Sequence, residues 1–335
     1  MTIYDISKEA GVSIATVSRV LNGNTNVKAK TRQKVLDAIE RCDYTPNAFA
    51  RGLGLNTMNS IGIICADCSD IFISKAIYYV EKNLRSKGYE TVVCSSGYDL
   101  EGKQEALSLL MKRRIDGVIM IGSNFIYEDE ESNAYIKNAA EQIPVMLLNA
   151  DFDYKNVYCT FCDDYKASYN ATSFLIKKGC KQILHLYDAV SFSGIRKLSG
   201  YQAALLANDM NVDKKLTSFY SGNRESAQEI SDHLQNIWDS GVRFDAVTAS
   251  NDYMAMGVLH FARKNHLQVP EDIEIIGYNN TVLTTCSYPE LTSVDNKVES
   301  ISSQLVNTLI NILSGSEMPQ KITISGELIL RGTTA

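Results

Sequence analysis

Apolar residues recur at helical spacing over residues 2–42, in the order expected for three short helices. Thr2 and Asp5 form a capping-box pattern, so the first helix is predicted to begin near Ile3. Gly11 suits the left-handed conformation that ends a helix, and Ser13 is expected to cap the second helix. The apolar face of these two helices consists of Ile3, Ile6, Ala10, Val17, Val20 and Leu21.

The second helix presents an outward face once its apolar residues are buried. That face carries Ile14, Ala15, Thr16, Ser18, Arg19 and Asn22. A second helix of this kind reads DNA with its N-terminal residues against base edges in the major groove and its flanking polar residues against phosphates. A third helix is predicted from about Lys30 to Cys42, where it packs under the first two. The alternative is a small solvated helical hairpin.

Residues 46–53 predict one more short helix, because Thr45 suits its cap and Pro46 suits its first position. Gly52 and Gly54 each cost about 1 kcal/mol of helix stability relative to alanine, and so short a helix does not hold alone in water. We therefore expect this segment to be helical only on DNA. The alternative is an ordinary linker.

From residue 60 the pattern changes to short apolar strands that alternate with amphipathic helices. Such alternation is typical of parallel sheets covered by helices on both faces. The predicted strands are Ile61–Ala66, Thr91–Ser95, Gly117–Ile121, Val145–Asn149, Gln182–Tyr187, Ala246–Ala249 and Ile273–Tyr278. The predicted helices include Ser74–Lys87, Lys103–Arg114, Tyr165–Lys178, Ile195–Asn208, Ser226–Ser240 and Tyr253–Asn265. These are too many strands for one comfortable sheet, and a break near residues 157–163 indicates two similar lobes.

Polar residues follow nearly every predicted strand. They occupy residues 65–70, 95–98, 122–124, 149–151, 188, 250–252 and 278–280. In open α/β sheets, small ligands bind beyond the carboxyl ends of the strands. Two lobes that face each other are therefore expected to enclose a ligand among these groups.

The net charge of -6 is unevenly distributed along the chain. Residues 1–57 sum to +3, because eight Lys or Arg residues outnumber five Asp or Glu residues, and the remainder sums to -9. Only the N-terminal part is thus suited to phosphate. Its affinity for DNA should fall with salt, and the acidic remainder should limit nonspecific adhesion.

Other function classes lack their signatures in this sequence. No apolar run approaches the roughly 20 residues that span a bilayer, and no signal peptide is recognisable, so no membrane contact and a cytoplasmic location are expected. The eight cysteines are expected to be reduced, and the pairs Cys65/Cys68 and Cys159/Cys162 lie too far apart for a zinc ribbon. Without a glycine-rich nucleotide turn or a catalytic constellation, we expect no cofactor, no metal and no enzymatic activity.

Four stretches near the N-terminus form specific motifs. They are residues 5–13, 16–22, 31–35 and 44–53, which run DISKEAGVS, TVSRVLN, TRQKV and YTPNAFARGL. These motifs resemble the lactose-repressor/galactose-repressor family of bacterial transcription regulators. The resemblance implies a small all-α helix-turn-helix headpiece over residues 1–45, a hinge helix and linker over residues 46–57, and an effector-binding and dimerisation domain over residues 58–335.

The implied C-terminal domain is the α/β two-lobed periplasmic-binding-protein-like fold of type I, with parallel sheets. Its N-terminal lobe is expected at about 58–160 and 292–322, and its C-terminal lobe at about 161–291 and 323–335. The chain is expected to pass between the lobes near residues 157–162, 288–294 and 320–324.

The resemblance also implies the DNA contacts. Ile14, Ala15 and Arg19 lie where family members contact operator bases, and Leu53 aligns with a leucine that wedges into a central base step. The implied phosphate contacts are Thr2, Tyr4, Thr16, Ser18, Asn22 and Asn47. The implied partner is a near-palindromic double-stranded operator bound by a homodimer. A tetramer is not expected, since no leucine heptads follow the last predicted strand.

The effector residues follow from the same register. Asn251 and Asn279 match family ligand positions, Asn149 and Asn279 replace frequent aspartates, and Lys197 occupies an arginine slot that Arg196 fills if the register slips by one. Phe72, Tyr98 and Tyr220 are candidates to stack on a ring face, with core or rim packing as the alternative for each. A cleft poor in carboxylates that keeps a cation admits a phosphorylated or carboxylated effector beside a plain sugar.

The resulting expectation is a DNA-binding transcription regulator, specifically a repressor, controlled by a small-molecule effector such as a sugar or sugar derivative. Two alternatives remain open. One is a regulator of the catabolite-control type whose partner is a phosphoprotein, since related proteins also place lysine at the Lys197 slot. The other is a solute-binding protein, which the headpiece argues against.

Overall fold

The computed structural model describes residues 1–21, 26–44 and 57–334. The chain divides into two compact units, Met1–Ser60 with Arg114–Asp116, and Ile61–Arg113 with Gly117–Ala335. The predicted hinge helix over residues 46–53 lies outside the described residues.

Three helices form the described part of the first unit. They are α1 (Ile3–Ala10), α2 (Ile14–Leu21) and α3 (Ala29–Arg41), within one residue of the predicted positions. Their apolar faces meet in one small core, in which Ile6, Val17, Val35 and Ala38 are fully buried. Helical spacing of apolar residues was therefore sufficient to predict this unit.

From residue 60 onward all seven predicted strands are present, and the described residues contain five further strands that the apolar pattern did not predict. The described strands are β1 (Ser60–Cys65), β2 (Glu90–Ser95), β3 (Gly117–Ile121), β4 (Val145–Leu148), β5 (Val157–Cys162), β6 (Ile183–Tyr187), β7 (Thr217–Phe219), β8 (Ala246–Ala249), β9 (Glu274–Tyr278), β10 (Thr292–Asp295), β11 (Lys321–Ile324) and β12 (Glu327–Ile329). The described helices are α4 (Ile71–Ser86), α5 (Leu100–Lys112), α6 (Ala134–Ala140), α7 (Asp164–Lys178), α8 (Phe192–Leu206), α9 (Ala227–Asp239), α10 (Asp252–Lys264), α11 (Leu283–Cys286) and α12 (Val298–Leu313).

The strands form two six-stranded sheets, one for each lobe. The first has the order β11-β5-β4-β3-β1-β2 and the second the order β12-β10-β9-β8-β6-β7. The pairings are parallel where they are resolved, for example Ile63 opposite Ile119, except that β12 runs antiparallel to β10 at the edge of the second sheet. The expected two-lobed α/β fold is confirmed, with this one antiparallel edge strand as a departure from purely parallel sheets.

Each lobe buries its sheet under helices and has its own core. In the first, Ile61, Ile119 and Leu148 pack with Val80 of α4 and Leu305 of α12. The second has two clusters, one under α9 and α10 and the other under α7 and α8. Parallel strands covered on both faces are nearly continuous apolar runs, as β3 and β4 are.

All three expected crossings between the lobes are displaced in the structure. The segment expected to cross at residues 157–162 is β5, which pairs with β4 in the first sheet, so the chain changes lobes after Cys162. Residues 292–295 were expected in the N-terminal lobe, yet β10 pairs with β9 in the second sheet, and the chain crosses between Asp295 and Val298. The last crossing falls between Ile324 and Glu327, because all of β11 pairs with β5 in the first sheet. The segments expected only to cross are thus strands, and the chain changes lobes just beyond them.

Candidate functional site

The start of α1 has the predicted capping interaction. The Thr2 backbone N–H donates to Asp5 Oδ2 at 2.8 Å, and the Thr2 hydroxyl donates to the same oxygen at 3.0 Å. These hydrogen bonds lower the pKa of Asp5 and keep its carboxylate charged. Gly11 ends the helix in the left-handed conformation, with φ at 63°, and turns the chain into α2.

Helix α2 presents its polar side outward, as the pattern predicted. The Ser13 hydroxyl accepts the Thr16 backbone N–H at 3.2 Å, so Ser13 caps the helix. Val17 and Val20 are buried, which leaves Ile14, Ala15 and Arg19 exposed and Thr16 and Ser18 half-buried. Thr2 and Tyr4 on the neighbouring helix are also exposed. Asn22, Asn47 and Leu53, the other expected DNA contacts, lie outside the described residues.

Between the two lobes lies a cavity of about 230 Å³, bounded by the carboxyl ends of both sheets. Six of the eight expected effector residues line it: Phe72, Tyr98, Asn149, Lys197, Asn251 and Asn279. They come from both lobes and are brought together only by the fold.

The three asparagines are held by the backbone at the strand ends. Asn149 follows β4 and Asn279 follows β9, both with left-handed backbones, at φ 69° and 94°. Asparagine tolerates this conformation better than most residues. Asn251 caps α10 by accepting the Met254 backbone N–H at 3.0 Å, while its amide nitrogen donates to Asp188. The side chains of Asn251 and Asn279 are thus already hydrogen-bonded within the protein, since Asn279 Oδ1 accepts the Asn296 amide at 2.9 Å.

Lys197 supplies a buried cation to the same cavity. Its ammonium donates to the Ser250 carbonyl at 2.9 Å and lies 3.9 Å from the ring centroid of Tyr278. The Tyr278 hydroxyl in turn donates to Asp164 at 2.6 Å, and burial raises the pKa of Tyr278, so the ring stays neutral. A ring face with a carboxylate behind its hydroxyl is a suitable platform for an ammonium.

Two expected effector residues are not in the cavity. The Arg196 guanidinium donates to Asp163 at 2.8 Å, so the register does not slip and Lys197 alone occupies the slot. Tyr220 is buried in the core of its lobe, and its hydroxyl donates to the Asn223 carbonyl at 3.1 Å. For Tyr220, core packing is the correct alternative.

Three charged residues of the cavity were missed as ligand candidates: Asp70, Asp188 and Arg224. The cleft is more charged than the replacement of two frequent aspartates by Asn149 and Asn279 suggested, because two carboxylates and two cations line it. Asp70 and Asp188 follow predicted strands, so their position at strand ends was a usable signal. Arg224 comes from a loop between β7 and α9, where no periodicity indicates its role.

One wall of the cavity rests on a buried lysine. Gly122, Ser123 and Asn124 line the cleft after β3. Lys103 on α5 is 1% exposed, and its ammonium donates to the Asn124 carbonyl at 2.6 Å and to the Tyr127 hydroxyl at 2.8 Å. Burial lowers the pKa of Lys103 to about 8.

The described residues show whether the cysteines are paired, whether side chains cluster as metal ligands do, and whether a helix could cross a membrane. All eight cysteines are free, and no cluster of histidine, cysteine and carboxylate side chains suited to a metal occurs within residues 1–21, 26–44 and 57–334. In the same part of the chain, no helix is both long and apolar enough to cross a bilayer.

Comparison with protein families matches both units. Residues 2–47 match the model described as bacterial regulatory proteins, lacI family, and residues 58–331 match that of periplasmic binding proteins and sugar binding domain of LacI family. The chain belongs to the LacI family. It is a DNA-binding transcriptional regulator, and its expected lack of enzymatic activity agrees with relatives that are transcriptional regulators.

Individual members of the LacI family are similar over the whole chain. An HTH-type transcriptional regulator of Lachnoclostridium phytofermentans is 48% identical over 334 residues, covering 100% of this chain and 99% of the relative. Catabolite control protein A of Staphylococcus epidermidis is 31% identical over 336 residues, covering 100% and 99%. The Lac repressor dimer solved with operator and the anti-inducer ONPF has the same fold, with a TM-score of 0.89 at 24% identity, covering 100% and 99%.

Proposed function

We propose that this LacI-family regulator is a repressor whose operator affinity is set by a small molecule bound between the two lobes. The convergence of six predicted side chains from both lobes in one cavity carries the proposal. Amides and carboxylates accept and donate to hydroxyl groups, and aromatic faces pack on sugar rings. A sugar or sugar derivative is therefore the effector that this site suits best.

The charged groups refine the chemistry of the effector. Asp188 and Asn251 already form a hydrogen-bonded pair, and their remaining donor and acceptor positions are suited to hydroxyl groups. Lys197 is 8% exposed and faces the same cavity, so a phosphate or carboxylate on the effector has a buried cation available. An anionic sugar derivative could bind the Asp188–Asn251 pair through its hydroxyl groups and Lys197 through its negative charge.

The DNA-binding part of the proposal rests on the exposed face of α2. Ile14, Ala15 and Arg19 would contact bases in the major groove, with the fork of Arg19 suited to guanine. Thr2, Tyr4, Thr16 and Ser18 surround them and would contact phosphates. Asn22, Asn47 and Leu53 are proposed contacts on the motif alone.

Homodimer formation and a near-palindromic operator complete the proposal. The solved Lac repressor is a dimer bound to operator, and two identical headpieces would read two half-sites. Effector closure of the cleft would change how the two hinge segments approach each other, and so change DNA affinity. The site of action is the cytoplasm, where bacterial operators are found.

A second candidate is a catabolite-control regulator with a phosphoprotein partner. Its support is the similarity to catabolite control protein A and the lysine at position 197. In that case the cleft would give no response to metabolites, and the full chain would retain a protein from cell extract.

The test is a thermal-shift screen of the full chain against sugars, sugar phosphates, nucleosides and organic acids. A ligand that binds only the folded protein raises the unfolding midpoint. Asn279→Gly removes the cleft amide while glycine tolerates the φ of 94°. Asn280→Gly is the matched control, because Asn280 also has a positive φ and lies outside the residues that line the cleft. A hit lost in the first variant and kept in the control supports the effector site, and no hit favours the protein partner.

A further inference from the structure

Arg224 connects the two lobes across the mouth of the cleft. Its Nη2 donates to the Tyr98 hydroxyl at 3.2 Å, and its Nη1 lies 3.7 Å from Asp70 Oδ2. Its Nε lies 3.8 Å from Asp188 Oδ2. Asp70 and Tyr98 belong to the N-terminal lobe, whereas Asp188 and Arg224 belong to the C-terminal lobe. A single guanidinium therefore bridges carboxylates of both lobes.

The partners of Arg224 are fixed by their own lobes. Asp70 caps α4 by accepting the backbone N–H groups of Phe72 and Ile73 at 2.9 and 3.0 Å. Asp188 accepts the Ser250 hydroxyl at 2.9 Å and the Asn251 amide at 3.0 Å. Both carboxylates stay in place without the arginine. The Arg224 side chain is 36% exposed.

The electrostatic environment keeps the arginine charged. Desolvation by itself lowers the pKa of Arg224, but the neighbouring Asp188, Tyr98 and Asp70 outweigh it and raise the pKa. The Tyr98 ring also lies 5.6 Å from the guanidinium carbon, within the range of a cation–π contact. Charge, hydrogen bond and ring contact all favour the bridged arrangement.

The bridge also limits the size of the cleft. Ligand pockets usually hold roughly 300–1,000 Å³, whereas this cavity holds about 230 Å³ with Arg224 in its wall. The position of the Arg224 side chain therefore helps to set the space that is open to a ligand.

We propose that Arg224 is a latch that holds the lobes together across the cleft and that releases when the cleft opens. The latch itself does not depend on the effector proposed above, whereas any effect of the latch on operator affinity does. Because the bridge joins charges that are partly exposed, its strength should fall with salt.

A second contact between the lobes serves as an internal comparison. The hydroxyls of Ser123 and Ser191 lie 2.9 Å apart, and the Phe192 backbone N–H donates to the Ser123 carbonyl at 3.3 Å. This contact is uncharged. Added salt and the loss of the Arg224 charge should therefore weaken the contacts of Arg224 and leave this contact unchanged. It also keeps the lobes near each other when the latch is lost.

Hydrogen–deuterium exchange of the full chain, without ligand or DNA, tests the latch. Arg224→Gln removes the charge, and Arg243→Gln is the matched control, because Arg243 contacts the carbonyls of Trp238 and Val242 within one lobe. We expect exchange in peptides covering residues 66–73 and 95–102 to be about two- to fivefold faster in Arg224→Gln and unchanged in the control. These peptides contain Asp70 and Tyr98 and lie in the other lobe, so faster exchange in them reports loss of the bridge between the lobes rather than a change confined to the lobe of Arg224.

Two further measurements keep the test decisive if Arg224→Gln folds poorly. Tyr98→Phe removes only the hydroxyl partner and should accelerate exchange in residues 66–73 to a smaller extent. Raising the salt concentration from 0.05 to 0.5 M shortens the screening length roughly threefold. This should accelerate exchange in residues 66–73 of the native chain and have little further effect on exchange in Arg224→Gln. Unchanged exchange in these peptides in both variants and at both salt concentrations would overturn the latch. Since neither DNA nor effector is present, this result would leave the proposed function untouched.

Discussion

The ammonium of Lys197 lies 3.9 Å from the centre of the Tyr278 ring, while the hydroxyl of that ring donates to Asp164. The lysine comes from α8 and the tyrosine from the last position of β9, so the contact depends on the register between helix and sheet. A cation is thereby fixed at the carboxyl end of the second sheet, where ligands of such folds bind.

Replacing Lys197 by methionine should abolish or strongly weaken effector binding. Methionine fills similar space but removes the charged donor, and a charge-assisted hydrogen bond contributes about 1.5–3 kcal/mol, or roughly 10- to 100-fold in affinity. The measurement is the thermal shift produced by a screen hit. Lys264→Met is the control, since Lys264 pairs with Asp232 on the surface of the same lobe. An undiminished shift in Lys197→Met would place the effector elsewhere.

Lys103 should give the free energy of unfolding a measurable pH dependence. Its pKa of about 8 lies below the ordinary 10.5, a difference that corresponds to about 3 kcal/mol. Between these values the unfolded chain binds more protons than the folded chain, so this group's contribution to stability rises with pH over that window and is least favourable below pH 8. Asp99 is the charged group that opposes the shift.

Urea unfolding of the native chain and Lys103→Met between pH 7 and 10 measures this effect. Cysteines and tyrosines that ionise in this range do so in both proteins, and the difference between the two isolates the lysine. We expect the stability of Lys103→Met relative to the native chain to be highest near pH 7 and to decline toward pH 10. A difference that stays constant with pH would show that Lys103 is not perturbed by burial.

The cysteines should separate into reactive and protected groups. Burial raises the pKa of Cys159 to about 11 and that of Cys162 to about 12, so little thiolate forms at neutral pH. Cys68 and Cys286 are exposed. Brief iodoacetamide treatment of the folded chain, followed by peptide mass spectrometry, should modify these two first. Early modification of Cys159 or Cys162 would mean that β5 opens readily.

Apolar runs predicted seven of the described strands, but they did not predict β5, β7, β10, β11 or β12. β10 has the sequence TSVD, with a single apolar residue, yet Thr292 and Ser293 are fully buried. Their polar groups are satisfied from distant parts of the chain, as when the Ser293 hydroxyl donates to Asp252 at 2.6 Å. Such compensation becomes visible only when the chain is folded, so the lobe crossing next to it was misplaced.

The residues of the candidate site likewise divide into those that the sequence predicted and those that it did not. Asn149, Asn251 and Asn279 were predictable because they follow strands, and strand ends of parallel sheets converge. Arg224 was not predictable, since its partners Asp70 and Tyr98 lie more than a hundred residues away on the other lobe. Tyr220 was misassigned because an aromatic ring after a strand suits a core as well as a cleft, and its ring packs into the core.

The most direct test of the central claim is operator affinity with and without an effector. Operator DNA is selected from random duplexes with the full chain, and its affinity is measured by fluorescence anisotropy in the presence and absence of a thermal-shift hit. The account predicts a near-palindromic operator, an affinity change of about tenfold or more on adding the hit, and loss of that change in Asn279→Gly but not in Asn280→Gly. An operator affinity that is identical with and without every hit would contradict effector control through the cleft.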